Sequence, residues 1–170
     1  VDLCTRIATG IQQQLGLADL TMKWVVVTPE NRLAMVANGT VDLECGSTTN
    51  TLSRQEQVDF SYMTFVDGGS LLVPGNANID RLSDIAGKRI AVVPGTTTEK
   101  VMAEALQKAK ITAQMIKVKE HAEGIAAIEN GTADAYASDR VILIGLGMTS
   151  KDPAKWAIAD QYFSYEPYGL

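Results

Sequence analysis

A run of hydroxyl side chains in the first third of the chain ends in an arginine. The run contains Ser47, Thr48, Thr49 and Thr51, and Arg54 closes it. Hydroxyl groups both donate and accept hydrogen bonds, and a guanidinium is a planar, permanently charged group that can hold a small carboxylate through two parallel bonds. We therefore interpret this run as a candidate anion-binding loop. A solvated loop in which the hydroxyls cap turns is equally consistent with these residues.

A second loop repeats this chemistry later in the chain. Thr96 and Glu99 have the spacing of a capping box, which predicts a helix that begins near Thr96. The free amide groups of a helix start attract an anion, and the hydroxyls of Thr96 and Thr97 lie beside them. A capped helix without a ligand is the alternative interpretation. The spacing of a nucleotide-binding loop is absent.

Two titratable residues follow predicted strands. Asp139 could pair with an ammonium group, and it could also serve as the N-cap of the next predicted helix. His121, the single histidine, could donate a proton or carry a positive charge toward a second carboxylate. Most isolated histidines are structural or solvated, so a structural role for His121 stays open at this point.

The elements that must position these side chains alternate between helix and strand. Apolar residues recur at every fourth position from Leu3 to Leu15, and Pro29 after Thr28 marks another helix start. For the first part of the chain we predict helix 3–15, strand 21–27, helix 28–38, strand 41–45 and an extended segment 58–62. After a glycine-containing crossing we predict helix 79–86, strand 89–93, helix 96–109, strand 113–118, helix 123–128, strand 133–137, helix 141–148 and strand 156–159.

This alternation predicts an α/β fold with a largely parallel sheet covered by helices. In open sheets of this class, ligands bind outside the carboxyl ends of the strands. Both hydroxyl loops follow predicted strands, so they can face one cleft.

Composition narrows the class of protein further. The chain has 170 residues, 46% of them hydrophobic, and a net charge of -5, which disfavours nucleic acid as a partner. Cys4 and Cys45 could form a disulfide if the start of the first helix meets the end of the strand 41–45, and they could equally be small buried apolar residues. Two cysteines and one histidine do not make a zinc site.

Several motifs together resemble the family 3 extracellular solute-binding proteins of amino-acid ABC transporters, within them the glutamate/aspartate-binding branch. The motifs are Asn31-Arg32, Asn38-Gly-Thr-Val-Asp42, Glu44-Cys-Gly-Ser-Thr-Thr-Asn50 with Arg54, Val58-Asp-Phe-Ser61, Gly95-Thr-Thr-Thr-Glu99, Asn130-Gly-x-Ala-Asp134 with Asp139, and Glu166-Pro-Tyr-Gly169. The resemblance implies a two-lobed periplasmic binding protein type II fold. Residues 1–69 would form part of lobe 1, residues 70–165 a complete lobe 2, and residues 166–170 the start of the return to lobe 1.

The resemblance also implies roles for the residues that bind the backbone groups of an amino acid. Arg54 would clamp the α-carboxylate, with Thr49 and Thr97 assisting. Ser47 and Thr49 would bind near the α-amino group, and Asp139 would balance its charge. No metal and no cofactor is implied.

The remaining residues concern the ligand side chain. Thr96 would line the same pocket, and His121 would meet a side-chain carboxylate. These assignments favour glutamate or aspartate, while glutamine, asparagine or a broad specificity remain open.

The implied function is binding without catalysis. The two lobes would close on the amino acid in the periplasm and present the closed form to the membrane permease of the transporter. Two alternatives share the same pocket: a ligand-sensing domain of a membrane receptor, and a cyclohexadienyl-dehydratase-like enzyme in which His121 or Asp139 would act as acid or base.

The chain also departs from the pattern of the family. Members normally have a strand and loop before the position of Val1 and helices after that of Leu170, so we expect a chain that is truncated at both ends. We expect weak ligand binding unless these segments or a partner chain complete lobe 1.

Overall fold

The computed structural model describes residues 2–170 and divides into two compact units. Unit 1 extends to Thr64 and resumes at Tyr168–Leu170, and unit 2 comprises Phe65–Pro167. The sequence predicted the boundary after residue 69. Gly69 pairs with Asp139 in the sheet of unit 2, and the lobe boundary after residue 69 stays a prediction.

Helices and strands alternate through most of the described chain. In chain order they are α1 (Asp2–Gln14), α2 (Arg32–Ala37), β1 (Thr48–Thr49), α3 (Leu52–Gln55), β2 (Phe65–Asp67), β3 (Gly69–Pro74), β4 (Arg89–Val92), α4 (Thr97–Ala109), β5 (Gln114–Lys117), α5 (His121–Glu129), β6 (Ala135–Asp139), α6 (Arg140–Thr149), β7 (Trp156–Ile158) and β8 (Glu166–Gly169). Short 3-10 helices occupy Leu82–Ile85 and Pro153–Lys155. The first of these lies where we predicted a helix over 79–86. No helix within residues 2–170 has the length and hydropathy that a bilayer crossing requires.

The first helix of unit 1 is fastened to the rest of the unit by a disulfide. α1 ends shortly before Gly16, which has a positive φ, and this confirms the helix predicted from the four-residue spacing. Cys4 is buried on α1 and is bonded to Cys45, and the two α-carbons lie 6.2 Å apart. The structure thus decides between the two roles that the sequence left open for these cysteines.

Two strands predicted in unit 1 are absent from the described chain. Residues 21–27 and 41–45 have no ladder partner there, and the short β1 pairs antiparallel with β8 instead. The extended segment predicted over 58–62 is not a strand either, although the Ser61 amide donates to the Leu170 carbonyl at 2.8 Å. A strand is defined by hydrogen bonds to a neighbouring segment. In the predicted strand 21–27, Val26 is 94% exposed and Trp24 is also exposed, so this segment has neither a ladder nor a buried face.

Helix α2 begins one turn later than predicted. The Thr28 amide donates to Oδ1 of Asn31 at 2.7 Å, and the Arg32 amide donates to the Thr28 carbonyl at 3.0 Å. These bonds make residues 28–31 a turn that precedes the helix. The predicted end at Asn38-Gly39 is confirmed, because Asn38 is the C-cap and Gly39 has a φ of 73°.

Unit 2 is built on a five-stranded sheet with the order β5-β4-β6-β3-β7 in the described chain. β4 pairs in parallel with β5 and β6, whereas β3 pairs antiparallel with β6 and β7. Four of the five strands, β4, β5, β6 and β7, therefore run in one direction, as predicted for a largely parallel sheet. β3 runs in the opposite direction, so the prediction is wrong for this strand. α4, α5 and α6 join the strands that share one direction, which is the connection that parallel strands require.

The sheet of unit 2 is buried on both faces. Side chains alternate along a strand, so Leu71 faces a cluster that includes Met102 of α4. Leu72 and Tyr136 face the opposite cluster, which includes Leu143 of α6 and residues of α5. The alternation places Tyr136 next to α5, the helix that begins with His121.

Candidate ligand-binding site

The arginine of unit 1 is buried and held by its own loop. Arg54 is 8% exposed, and its Nη1 donates to the Thr49 carbonyl at 2.8 Å. Thr51 is the N-cap of α3, and its hydroxyl accepts the Arg54 amide at 3.3 Å. A buried guanidinium is stable only when it is hydrogen-bonded, so these contacts keep a positive charge in a defined orientation.

The hydroxyl run around this arginine divides into two roles. The Thr48 hydroxyl donates to the Glu44 carboxylate at 2.6 Å, and Thr51 acts as a cap, as the turn-capping interpretation expects. Ser47 is half-buried and Thr49 is buried in β1. The structure therefore places Thr49 in contact with Arg54, and Ser47 directly precedes the strand β1 that contains Thr49.

Arg32 supports this loop from α2 and was not predicted as a site residue. It is buried, and its Nη1 approaches the Ser47 carbonyl at 3.4 Å. Its place in the Asn31-Arg32 motif was the one signal in the sequence that could have identified it.

Unit 1 also contains a cavity of about 560 Å³ that does not coincide with the predicted loop. Its walls include Leu33 and Val36 of α2, Phe60 and Leu170. Thr48 contributes to the wall, whereas the three predicted residues of the loop do not.

In unit 2, the start of α4 is capped as predicted, with one difference. The Thr96 hydroxyl accepts the Glu99 amide at 3.1 Å and donates to the Val93 carbonyl at 2.8 Å. The Glu99 carboxylate accepts the Gly95 amide at 3.0 Å instead of the Thr96 amide that a capping box would use. The predicted helix start is confirmed, and the reciprocal bond lies one residue earlier.

The next two hydroxyls of α4 donate to buried carboxylates. The Thr97 hydroxyl donates to Glu166 at 2.6 Å, and the Thr98 hydroxyl donates to Asp139 at 3.1 Å. Glu166 is 1% exposed, and it was not predicted as a site residue although it opens the Glu166-Pro-Tyr-Gly169 motif. The first turn of α4 thus contacts two carboxylates of unit 2 through the hydroxyls of Thr97 and Thr98.

Asp139 occupies the N-cap position of α6 without capping it through its side chain. The carboxylate makes no side-chain cap bond, and the Val141 amide donates to Asp67 at 2.8 Å instead. Asp139 is 6% exposed. The capping alternative is therefore wrong for this side chain. Instead, the Asp139 carboxylate lies against the first turn of α4, where it accepts the Thr98 hydroxyl.

His121 begins α5 and contacts a tyrosine that was not predicted as a site residue. Its Nδ1 lies 2.5 Å from the hydroxyl of Tyr136, which is fully buried in β6. Burial raises the pKa of Tyr136, and the charge of Asp139 acts in the same direction, although a hydrogen bond with Ser138 lowers it. Tyr136 therefore stays protonated near neutral pH.

The seven predicted residues thus form one group in each unit. Unit 1 holds Ser47, Thr49 and Arg54, while unit 2 holds Thr96, Thr97, His121 and Asp139. Within residues 2–170 there is no cluster of three or more side chains suited to hold a metal ion.

Comparison with curated proteins gives relatives over almost the whole chain. The L-glutamate/L-aspartate-binding protein of Pseudomonas aeruginosa is 36% identical, and the glutamate/aspartate import solute-binding protein of Salmonella typhimurium is 35% identical. Each match covers 99% of this chain and 56% of the relative. The chain thus spans about half the length of these curated relatives, and the resemblance to the glutamate/aspartate-binding branch is confirmed.

Solved structures share the fold. A periplasmic binding protein from Brucella ovis with glutathione bound superposes with a TM-score of 0.81 at 29% identity, covering 87% of this chain and 47% of that one. An ancestral arginine-binding protein bound to glutamine also gives 0.81, at 26% identity, covering 96% of this chain and 69% of that one. The predicted periplasmic binding protein type II fold, of the α/β class, is confirmed.

The model of the bacterial extracellular solute-binding proteins, family 3, matches residues 1–141. This match includes the hydroxyl loop with Arg54, the start of α4 and Asp139. Since it covers more than half of the 170 residues, the chain belongs to the bacterial extracellular solute-binding proteins, family 3.

Proposed function

We propose that this chain is the ligand-binding part of an amino-acid ABC transporter and that its ligand is glutamate or aspartate. The buried guanidinium of Arg54, oriented by the Thr49 carbonyl at 2.8 Å, is the observation that carries the proposal. A carboxylate bound to it would meet a donor group that is already in place, so little ordering is lost on binding. The names of the curated relatives support an acidic amino acid.

In this proposal each group of residues binds one part of the ligand. Arg54, assisted by Thr49, binds the α-carboxylate, and Ser47 and Thr49 bind near the α-amino group. Asp139 balances the ammonium charge, because a buried carboxylate is stabilised by an opposite charge.

The start of α4 and His121 complete the assignment. Thr97 assists at the α-carboxylate from the start of α4, where its hydroxyl donates to Glu166. Thr96 lines the pocket through its position at the helix start. His121 meets the side-chain carboxylate and so selects an acidic ligand.

We infer binding without chemical turnover, in an extracytoplasmic location. The curated relatives are named as binding and import proteins. The Cys4–Cys45 disulfide supports the location, because such bonds persist in oxidising compartments. The partner would be the membrane permease of the transporter.

The predicted requirement for completion of lobe 1 also stays a proposal. Leu3 and Ile11 of α1 are exposed although they belong to its apolar stripe. A partner chain or further segments that cover this stripe would strengthen ligand binding. Titration calorimetry of the 170-residue monomer tests this, and nanomolar affinity would contradict it.

The ligand assignment can be tested with a thermal-shift screen of the twenty amino acids, followed by calorimetry. A ligand that binds only the folded chain raises its melting temperature. We expect shifts for glutamate and aspartate, and we expect Arg54→Ala to abolish them while the far-ultraviolet circular dichroism stays unchanged. Arg6→Ala, which removes an exposed arginine of the same unit, is the matched control. Retained glutamate binding in Arg54→Ala would overturn the proposal.

A further inference from the structure

A glutamate that was not predicted as a site residue holds the strand β1 of unit 1. The Thr48 hydroxyl donates to Oε2 of Glu44 at 2.6 Å, which is the length of a hydrogen bond to a charged oxygen. Thr48 is buried, and a buried hydroxyl needs a hydrogen-bond partner. The Glu44 side chain therefore folds back along its own segment and meets the first residue of β1.

A glycine between these two residues makes room for the glutamate. A β-carbon at Gly46 would overlap Oε1 of Glu44. Gly46 is not one of the glycines with a positive φ, so its backbone conformation does not itself require glycine. The missing side chain at Gly46 thus allows the Glu44 carboxylate to reach Thr48.

The strand that receives this bond is too short to be held by its ladder alone. β1 has two residues, and they pair with Gly169 and Tyr168. Strands in globular proteins are usually about 3–10 residues long, so β1 has fewer ladder bonds than most. The bond from Thr48 to Glu44 adds a restraint at the residue directly before Thr49.

Thr49 connects this restraint with the candidate site. Its carbonyl accepts Nη1 of Arg54 at 2.8 Å, and the two soft dihedrals of Thr49 are all that separate this carbonyl from the peptide bond to Thr48. A displacement of Thr48 would therefore move the acceptor that orients the guanidinium.

We propose that Glu44 is a positioning residue, which accepts the Thr48 hydroxyl, keeps the Thr49 carbonyl against Arg54 and thereby raises the affinity for the ligand carboxylate. This rests on the proposed role of Arg54 toward the α-carboxylate. The effect acts through Thr48, because the Glu44 carboxylate would itself repel an anionic ligand.

Ligand affinity of the 170-residue chain, measured by calorimetry, tests this role. By analogy with residues that orient metal ligands, Glu44→Ala should lower the affinity for glutamate on the order of tenfold. Glu44→Gln retains an oxygen that accepts the Thr48 hydroxyl and should leave the affinity nearly unchanged. Asp42→Ala, which removes a carboxylate from an exposed position in the same segment, is the matched control. Equal losses in Glu44→Ala and either of the other variants would overturn the proposal, because charge would then be the cause.

Two pairs of substitutions test whether the hydrogen bond carries the effect. Thr48→Val should lower the affinity as Glu44→Ala does, and the double variant should be no worse than either single one. Gly46→Ala should displace the Glu44 carboxylate and lower the affinity, but it should have no effect when Glu44 is already alanine. Additive losses in both pairs would contradict the inference.

A measurement without ligand separates this inference from the proposed function. In nitrogen-15 NMR spectra, the guanidinium signal of Arg54 is the one that Arg54→Ala removes. In Glu44→Ala we expect its hydrogens to exchange faster with water, because the bond to Thr49 opens more often, and in Glu44→Gln we expect the rate of the unsubstituted chain. Equal exchange rates in all three chains would overturn the role of Glu44.

The combined outcomes assign each failure to one proposal. If no amino acid binds the unsubstituted chain, the proposed function fails, and the exchange of the Arg54 guanidinium still decides whether Glu44 positions it. If glutamate binds and Arg54→Ala abolishes binding while Glu44→Ala has no effect, only the role of Glu44 fails. If Glu44→Ala does not fold, as judged by circular dichroism, Gly46→Ala takes its place, since it displaces only the flexible end of the Glu44 side chain.

Discussion

The polar side chains of the two units are held in different ways. In unit 1, Arg54 donates to a carbonyl only five residues earlier, and a disulfide fastens α1 to the segment before β1. In unit 2, Thr97 and Thr98 donate to carboxylates that lie 69 and 41 residues away in the chain. The Arg54–Thr49 bond therefore lies within one segment of unit 1, even though β1 itself pairs with β8, whereas the bonds of Thr97 and Thr98 depend on the packing of distant segments of unit 2.

The largest expected effect tests the dependence of unit 2 on its core. Leu72 of β3 is fully buried between the sheet and the helices α5 and α6. Leu72→Ala should lower the free energy of unfolding by about 2–5 kcal/mol, because it removes buried methyl groups and leaves a cavity. Urea unfolding followed by circular dichroism measures this change.

The matched control for this substitution lies in unit 1. Val26 is 94% exposed, so Val26→Ala should change the free energy of unfolding by less than about 0.5 kcal/mol. Equal effects of the two substitutions would contradict the contrast between the units.

The second prediction concerns the covalent link of unit 1. Replacing Cys4 and Cys45 together by serine should destabilise unit 1 by about 2–4 kcal/mol, because the unfolded chain is no longer restricted by the closed loop. Hydrogen exchange read by mass spectrometry should show loss of protection in unit 1 and unchanged protection in β4 and β6. A similar loss in both units would show that they do not differ in this respect.

A third prediction sharpens the contrast at a single long-range bond. Thr98→Val keeps the shape of the side chain and removes the hydroxyl that donates to Asp139. The loss of a donor to a buried carboxylate should cost about 1–3 kcal/mol of unfolding free energy. Thr98→Ser, which keeps a hydroxyl at this position, should recover most of this loss in the same urea titration. If it does not, the lost stability comes from the packing of the side chain and not from the hydrogen bond.

The smallest predicted effect is a pH dependence of unit 2. Hydrogen bonds from Arg89 hold the pKa of Asp134 below its usual value of 3.8. A carboxyl with a lowered pKa in the folded state stabilises the fold above its unfolded pKa, and this contribution is lost as the pH falls through the folded value. Stability should therefore decline below about pH 4.

Asp134→Asn removes this titrating group. Its unfolding free energy should depend less on pH between about pH 5 and pH 3 than that of the unsubstituted chain, as measured by urea titration at each pH. The effect is small because Asp134 is partly exposed, where solvent screens the charge pair. An identical pH dependence in both chains would show that the Arg89–Asp134 pair is not the source of the change in stability with pH.

The predictions of helix caps and of the strands in unit 2 succeeded, whereas two strands predicted in unit 1 have no ladder partner within residues 2–170. The start of α4 at Thr96 and the end of α2 at Asn38 depend on bonds that span a few residues, so spacing and residue type were enough to identify them. The valines of segment 21–27 have strong strand propensity, yet the segment has no ladder partner in the described chain.

The candidate site shows the same division. Arg54 and Asp139 were predicted as site residues from their motifs, and His121 as the single histidine; the matching relatives confirm the family. Glu166 and Tyr136 were not, because their partners Thr97 and His121 lie 69 and 15 residues away in the chain and only the packing of unit 2 brings them into contact.

The sequence by itself determined the family, the class of fold, the start of α4 and the end of α2, since residue types and short-range spacing encode them. Tertiary structure alone decided that the Thr97 hydroxyl serves Glu166, that Asp139 accepts from Thr98 and that His121 meets Tyr136. The physical reason is that a side-chain hydrogen bond depends on which groups the packed sheet brings within about 3 Å, and no local pattern records that distance.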